Sequence, residues 1–384
     1  MSDTSYLQWP FFEDKHRALA EELEAWSTKH LVNLNHNDTD QLCRSLVEAL
    51  GDAGWCNHAS VDPADSLSRM DVRSLCLIRE TLARHEGLAD FAFAMQGLGT
   101  GAISLFGNEE QKNHWLPATR AGQAISAFAL TEPQSGSDVA NSTMTATRDG
   151  DDFVLNGEKT WISNGGIADM YTVFARTGEA PGAKGLSAFI VPKECPGFKV
   201  SERLHTIAPH PLALLQFDHC RIPSSGLLGQ PGSGFKIAMS VLDVFRPTVA
   251  AAALGFARCA LDESLSRVNE REIQGAKLSE FQMVQGHIAD MALNIDASAL
   301  LVYRAAWLKD SGAPRITREA AMAKLFSTEQ AQKIIDQSVQ LHGGDGVRSG
   351  EKVETLYREI RALRIYEGAS DVQKIIIARH TLAT

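Results

Sequence analysis

Hydrophobic residues recur at helical spacing through the first third of the chain, with polar residues between them. Leu19, Leu23 and Trp26 fall on one face of a predicted helix, because residues three and four apart are neighbours on a helix surface. Further helices are predicted at 42–50, 72–83 and 91–106, and from Asn108, where acidic residues follow in the first turn. The pattern predicts an all-helical N-terminal domain over residues 1–124.

Near Ile125 the hydrophobic pattern changes to the short alternating runs of β-strands. Asp149-Gly150 and Asn156-Gly157 are predicted hairpin turns between such runs. Seven strands are predicted, at 126–131, 143–147, 152–155, 159–163, 171–175, 186–191 and 214–217. Strands so closely spaced predict a middle antiparallel β domain over residues 125–232.

From Gly234 the helical period returns in long stretches, at 236–270, 279–311, 316–342, 351–365 and 370–381. Pro247 falls inside the first of them and should kink that helix or reset its start. We therefore predict a C-terminal helical domain over residues 233–384. The fold class is α+β and mainly α, with the strands between two helical domains.

Charge and cysteine usage exclude several classes of function. The 384 residues carry 37 Lys and Arg against 47 Asp and Glu, and a net charge of −10 makes a poor general binder of nucleic acid or acidic membrane. The six cysteines include no C-x-x-C pair, so we expect reduced thiols in a cytoplasmic protein, with no metal site. No secretory signal is recognised, and apolar runs such as 249–256 fall short of a membrane span.

Two segments of the strand-rich stretch bring together backbone donors, short hydroxyls and one aromatic ring. Thr131–Asp138 (TEPQSGSD) combines a proline, a glycine and two serines, which favours a rigid turn. Trp161–Gly165 reads WISNG. Successive N–H groups and hydroxyls suit an anionic or carbonyl-rich ligand. The alternatives are an ordinary hairpin turn and a tryptophan packed in the β-core.

These motifs and their order resemble the acyl-CoA dehydrogenase family of flavoproteins. The resemblance covers the chain from about Phe12 to Ala378 and rests on four matches, FALTEPQSGSD (128–138), LNGEKTWISNG (155–165), QLHGGDG (340–346) and IYEGAS (365–370). It implies an N-terminal helical domain, a middle β domain and a C-terminal four-helix domain. It also implies FAD between the last two domains, and a homo-oligomer that is a dimer or a tetramer built as a dimer of dimers.

The resemblance implies a reaction as well. An acyl-CoA thioester would lose an α-proton to a carboxylate and a β-hydride to flavin N5, giving a trans-2-enoyl thioester, with the electrons passed to an electron-transfer flavoprotein. Glu367 matches the family's base, and burial would raise its pKa. Some relatives carry the base near 242–246, where this chain has Phe245. An isolated Glu-Gly pair would otherwise indicate a solvated helix end.

The same resemblance implies which residues bind FAD. Trp161 would pack against the isoalloxazine ring, and the Ser163 hydroxyl would hydrogen-bond N5. Arg271, suited to pyrophosphate, would reach the FAD of a neighbouring subunit. The predicted cofactor-binding set is Phe128, Leu130, Thr131, Gly136, Ser137, Trp161, Ile162, Ser163, Arg271, Phe281, Gln282, Gln340, Gly343, Gly344, Ala369 and Asp371.

For the substrate, Asp243 and Arg246 match family residues that contact its pantetheine and adenine ends, although an i,i+3 ion pair is the alternative. Bulky Phe245 favours a short, branched or cyclic acyl group, and no arginine near Met95 could pair with a distal carboxylate. The predicted substrate-binding set is Ser137, Asp243, Arg246, Tyr366, Gly368, Arg379, Met95 and Phe245.

Three other functions remain open at the level of the sequence. The same chemistry could act on an acyl group tethered to a carrier protein. A related flavin oxidase or monooxygenase would use oxygen instead of a protein acceptor. A nucleic-acid-binding flavoprotein would need an added basic surface, and the net charge of −10 with no Lys/Arg-rich extension argues against it.

Overall fold

A computed structural model describes residues 3–383, which form two units. The first unit comprises residues up to Asn33, Asp71–Asp90 and the chain from Asp243 onward. The second comprises Leu34–Met70 and Phe91–Leu242. The sequence-based boundaries after residues 124 and 232 remain predictions.

The helices follow the hydrophobic periodicity closely. Asn108 caps one of them as predicted, because its side chain accepts from the Gln111 backbone N–H while the Gln111 side chain accepts from the Asn108 N–H. Within residues 3–383 the α-helices are α1 (Asp14–His30), α2 (Thr39–Asp52), α3 (Val72–His85), α4 (Gly87–Phe106), α5 (Glu109–Arg120), α6 (Gly234–Glu270), α7 (Gln282–Asp310), α8 (Thr317–His342), α9 (Lys352–Leu363) and α10 (Ser370–Leu382).

In the first unit, a buried polar network joins α3, α6 and α7. Glu80 accepts a hydrogen bond from Arg258 Nε at 2.6 Å, and its second carboxylate oxygen accepts from the Tyr303 hydroxyl. Gly255 of α6 lies against α3 so closely that an added Cβ would overlap the Glu80 carbonyl oxygen. Helices α3 and α6 are therefore packed at near-backbone contact at this point, and α7 joins them through the Tyr303 side chain.

Helix α6 continues through Pro247, so the predicted reset of the helix start is wrong. A proline inside a helix removes one backbone hydrogen bond, and the burial of nearly all of residues 249–260 offsets that loss. By length and composition α6 could cross a membrane, which the sequence pattern had not indicated. However, 83% of its apolar window is buried inside the protein, as in an ordinary core helix.

The second unit contains a mixed sheet with the strand order β6-β7-β3-β2-β4-β5-β8. Most pairings are antiparallel as predicted, but β1 lies parallel to β4, and β2 meets β4 in one parallel bridge. The strands are β1 (Ser126–Ala129), β2 (Thr145–Asp149), β3 (Asp152–Ser163), β4 (Met170–Arg176), β5 (Leu186–Pro192), β6 (Phe198–Arg203), β7 (Leu212–Pro223) and β8 (Leu227–Leu228). In the first unit, β9 (Glu272–Ile273) and β10 (Ala276–Lys277) form a separate hairpin.

One predicted turn is wrong, and the sequence did not predict β6, β8 or the β9–β10 hairpin. Asn156-Gly157 lies inside β3 at a β-bulge instead of in a hairpin turn, because Asn156 accepts from the His219 N–H and Gly157 packs against Met144. Strand β6 escaped prediction because it is a largely exposed strand at the end of the sheet, with no buried alternation. The six cysteines are all buried and free, as predicted.

Candidate active site

In the first unit, Glu367 lies in a strained turn between α9 and α10. Its φ is 52°, in the left-handed region, and Gly368 follows at 98°. For a residue other than glycine such backbone costs about 1–3 kcal/mol, and it persists only where surrounding contacts hold it. The φ of 98° favours glycine at residue 368, and an added Cβ would also meet Nε2 of Gln373.

Three buried donors hold this turn through its carbonyl groups. Arg246 Nε donates to the Glu367 carbonyl at 3.3 Å, and Lys324 Nζ donates to the Gly368 carbonyl at 2.8 Å. The Gln373 amide donates to both, at 3.4 Å and 2.8 Å respectively. The sequence motif identified Arg246, but it did not identify Lys324 or Gln373. Lys324 could have been noticed in the sequence, because it is a charged residue on the face of α8 that otherwise carries small buried residues.

The carboxylate of Glu367 has the properties of a general base. Burial raises the pKa of Glu367 above its ordinary value, while the positive charges of Arg79, Arg246 and Lys324 oppose that rise. Its Oε2 atom is buried and forms no hydrogen bond with any part of the chain that the structure describes. The alternative of a solvated helix end is therefore wrong. A buried carboxylate oxygen without a partner is available to accept a proton.

Arg79 is a third residue of this site that the sequence motifs did not reveal. It forms a two-pronged ion pair with Asp90, with N–O distances of 2.7 Å and 2.8 Å, and donates to the Thr248 hydroxyl at 3.1 Å. Both charged side chains are buried, and Asp90 compensates the guanidinium charge. Arg79 thus contributes a fixed positive charge that is oriented by Asp90.

Of the predicted substrate residues outside the turn, Arg246 contacts it directly, and Asp243 pairs with Arg246. Asp243 and Arg246 form the i,i+3 ion pair, at 3.5 Å, and Asp243 also accepts from the Thr317 hydroxyl at 3.0 Å. Phe245, between them, is fully buried and carries no group that could accept a proton. Tyr366 is 37% exposed. The ion pair between Asp243 and Arg246, which was the alternative to substrate binding, is therefore present. Arg246 also donates to the Glu367 carbonyl.

In the second unit, a buried ion pair fixes the Thr131–Asp138 turn. Glu132 accepts from Lys159 Nζ at 2.7 Å and from the backbone N–H groups of Thr143 and Met144. Lys159 also donates to the Leu130 carbonyl at 3.0 Å, and burial lowers the pKa of Lys159 to about 8. The turn is thus rigidly held at its start, as the sequence predicted, by a pair that the sequence did not reveal.

Trp161 is exposed to solvent at the second bulge of β3, so the alternative of a β-core tryptophan is wrong. Its side chain is 57% exposed and its φ is 58°. The neighbouring Thr160 N–H donates to the Thr131 carbonyl at 2.9 Å, which joins this bulge to the turn. Within residues 3–383 the hydroxyls of Thr131, Ser137 and Ser163 form no hydrogen bond. A large exposed ring and free hydroxyls in the same unit suit a flat polar ligand.

The remaining predicted site residues lie partly inside each unit and partly on its surface. Leu130, Ile162 and Met95 are buried, and Phe128 packs against Phe174 with ring centroids 4.9 Å apart. Gly136 has open space where a Cβ would stand. On the first unit Phe281 and Ala369 are half-buried, and the exposed residues are Arg271, Gln282, Gln340, Gly343, Gly344, Asp371 and Arg379.

Three family models match the chain in order along its length. They describe the N-terminal, middle and C-terminal domains of acyl-CoA dehydrogenase, and they match residues 13–123, 127–220 and 232–382. The chain belongs to the acyl-CoA dehydrogenase family. The predicted fold class, with strands between two helical domains, is confirmed.

Individual acyl-CoA dehydrogenases are similar over nearly their whole length. The probable acyl-CoA dehydrogenase fadE25 of Mycobacterium leprae is 37% identical over 373 residues, 96% of each chain. The mitochondrial short-chain specific enzyme of Rattus norvegicus is 38% identical over 378 residues, 96% of this chain and 90% of the relative.

Solved structures of related proteins are also similar over nearly the whole chain. A chain from the electron transferring flavoprotein study of Acidaminococcus fermentans has a TM-score of 0.89 at 34% identity, covering 97% of this chain and 99% of that one. A Mycobacterium smegmatis glutaryl-CoA dehydrogenase in complex with FADH2 scores 0.88 at 27% identity, covering 100% and 97%. The relation therefore extends across the entire chain.

Acyl-CoA dehydrogenases are FAD-dependent oxidoreductases, so this protein is an enzyme that uses FAD. Its own residues fit that cofactor, because an exposed indole and unpaired hydroxyls match a flat ring with polar edges. In the described part of the chain no three His, Cys, Asp or Glu side chains are grouped to hold a metal ion.

Proposed function

We propose that this acyl-CoA dehydrogenase desaturates an acyl-CoA thioester between its α and β carbons, with Glu367 as the base. The observation that carries the proposal is the Glu367 Oε2 atom, which is buried and has no partner in the described chain. FAD, when bound, supplies the acceptor for the β-hydride. The product is the 2-enoyl-CoA.

The surroundings of the Glu367 carboxylate make it suited to remove a weakly acidic α-proton. Burial raises the pKa of Glu367, so the carboxylate is a stronger base than a solvated one. The neighbouring cations keep that rise limited, so the group can still be ionised before the proton arrives. After transfer, the proton resides on the Glu367 carboxylate. The Glu367 backbone N–H is the proposed donor to the thioester oxygen, where negative charge develops.

We propose that the exposed indole of Trp161 and the hydroxyls of Thr131, Ser137 and Ser163 hold the flavin ring. The other members of the predicted cofactor-binding set, including Arg271, Gln340 and the glycines at 343 and 344, keep their proposed roles. In support, Arg271, Gln340, Gly343 and Gly344 are exposed, and nothing stands near the Cβ positions of the two glycines. Such open backbone can be approached closely by a ligand.

A short acyl group is the proposed substrate. The bulk of buried Phe245 supports this choice, and so does the similarity to the short-chain specific enzyme of Rattus norvegicus. Asp243 and Arg246 are proposed to contact the CoA part of the substrate, together with Tyr366, Gly368, Arg379 and the remaining predicted set. An electron-transfer flavoprotein is the proposed acceptor of the electrons. This proposal is supported by the similarity of this chain, at 34% identity, to a chain solved in the study of the Acidaminococcus fermentans electron transferring flavoprotein.

We further propose a cytoplasmic homo-oligomer, a dimer or a tetramer. Free cysteines agree with a reducing compartment. Large apolar side chains stand exposed along α7, including Leu293 and Leu300, and a row of this kind is typical of a surface that another copy covers.

The test is anaerobic reduction of the bound flavin by butyryl-CoA, read from the loss of its visible absorbance. Glu367→Gln should keep bound FAD, but the rate of flavin reduction by butyryl-CoA should fall by at least about 10²–10⁴-fold, because the amide cannot accept the proton. The control is Glu22→Gln, at an exposed position of α1, which should behave as the wild type. A Glu367→Gln enzyme that reduces its flavin at the normal rate would disprove the assignment.

Two further arms of the same experiment separate the other functions. The rates of flavin reduction by butyryl-CoA and by a butyryl group on a carrier protein are compared at equal concentration. Faster reduction by the carrier-bound substrate would indicate that the natural substrate is attached to a carrier protein and not to CoA. The reduced enzyme is then mixed with oxygen. Rapid reoxidation would indicate an oxidase or monooxygenase instead of a dehydrogenase.

A further inference from the structure

Lys324 of α8 is a buried cation that forms no direct ion pair within the described chain, although Glu367 and Glu329 are charged neighbours. Its side chain is 0% exposed, on the helix face that also buries Ala320, Ala321 and Ala323. Its ammonium group donates to one neutral acceptor, the Gly368 carbonyl, at 2.8 Å. Removing an ammonium group from water without an ion pair is costly. Burial accordingly lowers the pKa of Lys324 to about 8. Stability alone does not explain a lysine here.

The group that Lys324 holds is the second residue of the left-handed turn. Gly368 has a φ of 98° and directly follows Glu367, whose φ is 52°. The Gly368 carbonyl also accepts from the Gln373 amide at 2.8 Å. If the lysine were lost, the Gly368 carbonyl would still accept a hydrogen bond from Gln373. The lysine is dispensable for satisfying the backbone, but it contributes a second, charged anchor to the turn.

We propose that Lys324 is a positioning residue for the Glu367 turn, an inference that rests on the proposed role of Glu367 as the base. Its ammonium group anchors the Gly368 carbonyl from α8, and this contact fixes where the Glu367 carboxylate stands. Arg246, on α6, anchors the preceding carbonyl from another helix. These two contacts hold the backbone that carries the Glu367 side chain, and a displacement of the base by about 1 Å costs a proton transfer about 100-fold.

The charge of Lys324 also acts on the proton equilibrium of Glu367. The charged groups that face Glu367 are Arg79 on α3, Asp90 on α4, Arg246 on α6 and Lys324 on α8. Around Lys324 itself, Glu329 and Arg364 are the further charged neighbours. Removing a positive charge makes the ionised carboxylate less favourable, so the pKa of Glu367 rises further. The rate, which requires ionised Glu367, then increases with pH over a higher range.

The experiment compares Lys324→Met with Lys333→Met in the full-length holoenzyme. Lys333 is exposed on the same helix, so the same substitution there is the matched control. Flavin reduction is followed against butyryl-CoA concentration and against pH. In Lys324→Met we expect the limiting rate to fall about 10- to 100-fold while half-saturation changes by less than about 3-fold. The acid limb of its pH profile should move to higher pH. Lys333→Met should match the wild type.

A second variant and two structural measurements make the result decisive. Lys324→Gln removes the charge but keeps an amide donor, and it should fall between the wild type and Lys324→Met. FAD content and thermal midpoint should stay near the wild-type values, because Gln373 still satisfies the carbonyl. A wild-type rate and pH profile in both variants would overturn the proposal. A rate loss matched by equal losses of FAD and stability would also overturn it, since the role would then be structural. Glu367→Gln, measured alongside, separately reports whether the base itself is assigned correctly.

Discussion

Individual buried side chains explain why backbone near the proposed site adopts conformations that local sequence disfavours. In the first unit Arg246 and Lys324 hold the carbonyls of the Glu367 turn. In the second unit Lys159 joins Glu132 to the Leu130 carbonyl at the start of the Thr131–Asp138 turn. In each case a long cationic side chain reaches from a neighbouring element to an irregular segment. Such contacts make strained backbone persist.

The pair of Lys159 and Glu132 allows a direct test at this scale. Both side chains are almost completely buried, so Lys159→Met leaves a buried carboxylate without its cation. Removal of one partner from a buried pair costs about 3–5 kcal/mol of unfolding free energy. Urea unfolding should show that loss. The exposed Lys199→Met in β6 should change the unfolding free energy by no more than about 0.5 kcal/mol. Equal stabilities of the two variants would contradict the pair's proposed role.

Short motifs single out Glu367 and Trp161 as candidate site residues, but they do not predict the left-handed backbone of either residue. That conformation depends on donors that are distant in sequence, such as Arg246 and Gln373 for the Glu367 turn. A single sequence carries no signal for which distant donors converge on a given carbonyl. The exposure of Trp161 was unpredictable for a related reason, because a bulge reverses the face that a strand residue occupies.

Among whole elements, helices were predicted to within a few residues, whereas strands were predicted less well. The helical period repeats over many turns, so a long helix such as α8 gives a strong signal. A strand provides only a few alternating positions, and β6 buries almost none of its residues. Asn156-Gly157 has the composition of a turn, but its partners on β7 and β2 continue the strand through it.

Close packing between helices yields a prediction for two glycines. Gly255→Ala on α6 would place a methyl group against the Glu80 carbonyl, so we expect a loss of about 1–3 kcal/mol in unfolding free energy. Gly286→Ala on α7 meets open space, and alanine's better helix propensity should add up to about 1 kcal/mol. Chemical unfolding, with the oligomeric state checked by sedimentation, measures both. A gain of stability in Gly255→Ala would show that α3 and α6 are not in contact there.

For the molecule as a whole, the unexplained surface is the exposed apolar face of α7. Leu293, Leu300 and Trp307 are spaced seven residues apart, so they form one stripe along the helix, and all are exposed. Exposed apolar residues repeated along one helix are typical of an interaction surface, and isologous pairing with a second copy would bury the stripe against itself. The exposed Arg271 precedes α7 in the chain, and the exposed Gln282 is the first residue of α7. If they bind the FAD of another subunit, assembly and cofactor affinity are coupled.

The double variant Leu293→Glu, Leu300→Glu tests this coupling. Charges in a self-paired stripe repel one another across the interface, so the assembly should dissociate to smaller species in sedimentation experiments. Dissociation should also weaken FAD binding at least about 10-fold, because one of the two contributing chains is removed. Leu67→Glu, which changes an isolated exposed leucine of the second unit, should affect neither property. An unchanged oligomer would place the interface elsewhere, and a dissociated enzyme with undiminished FAD affinity would show that each chain binds its cofactor alone.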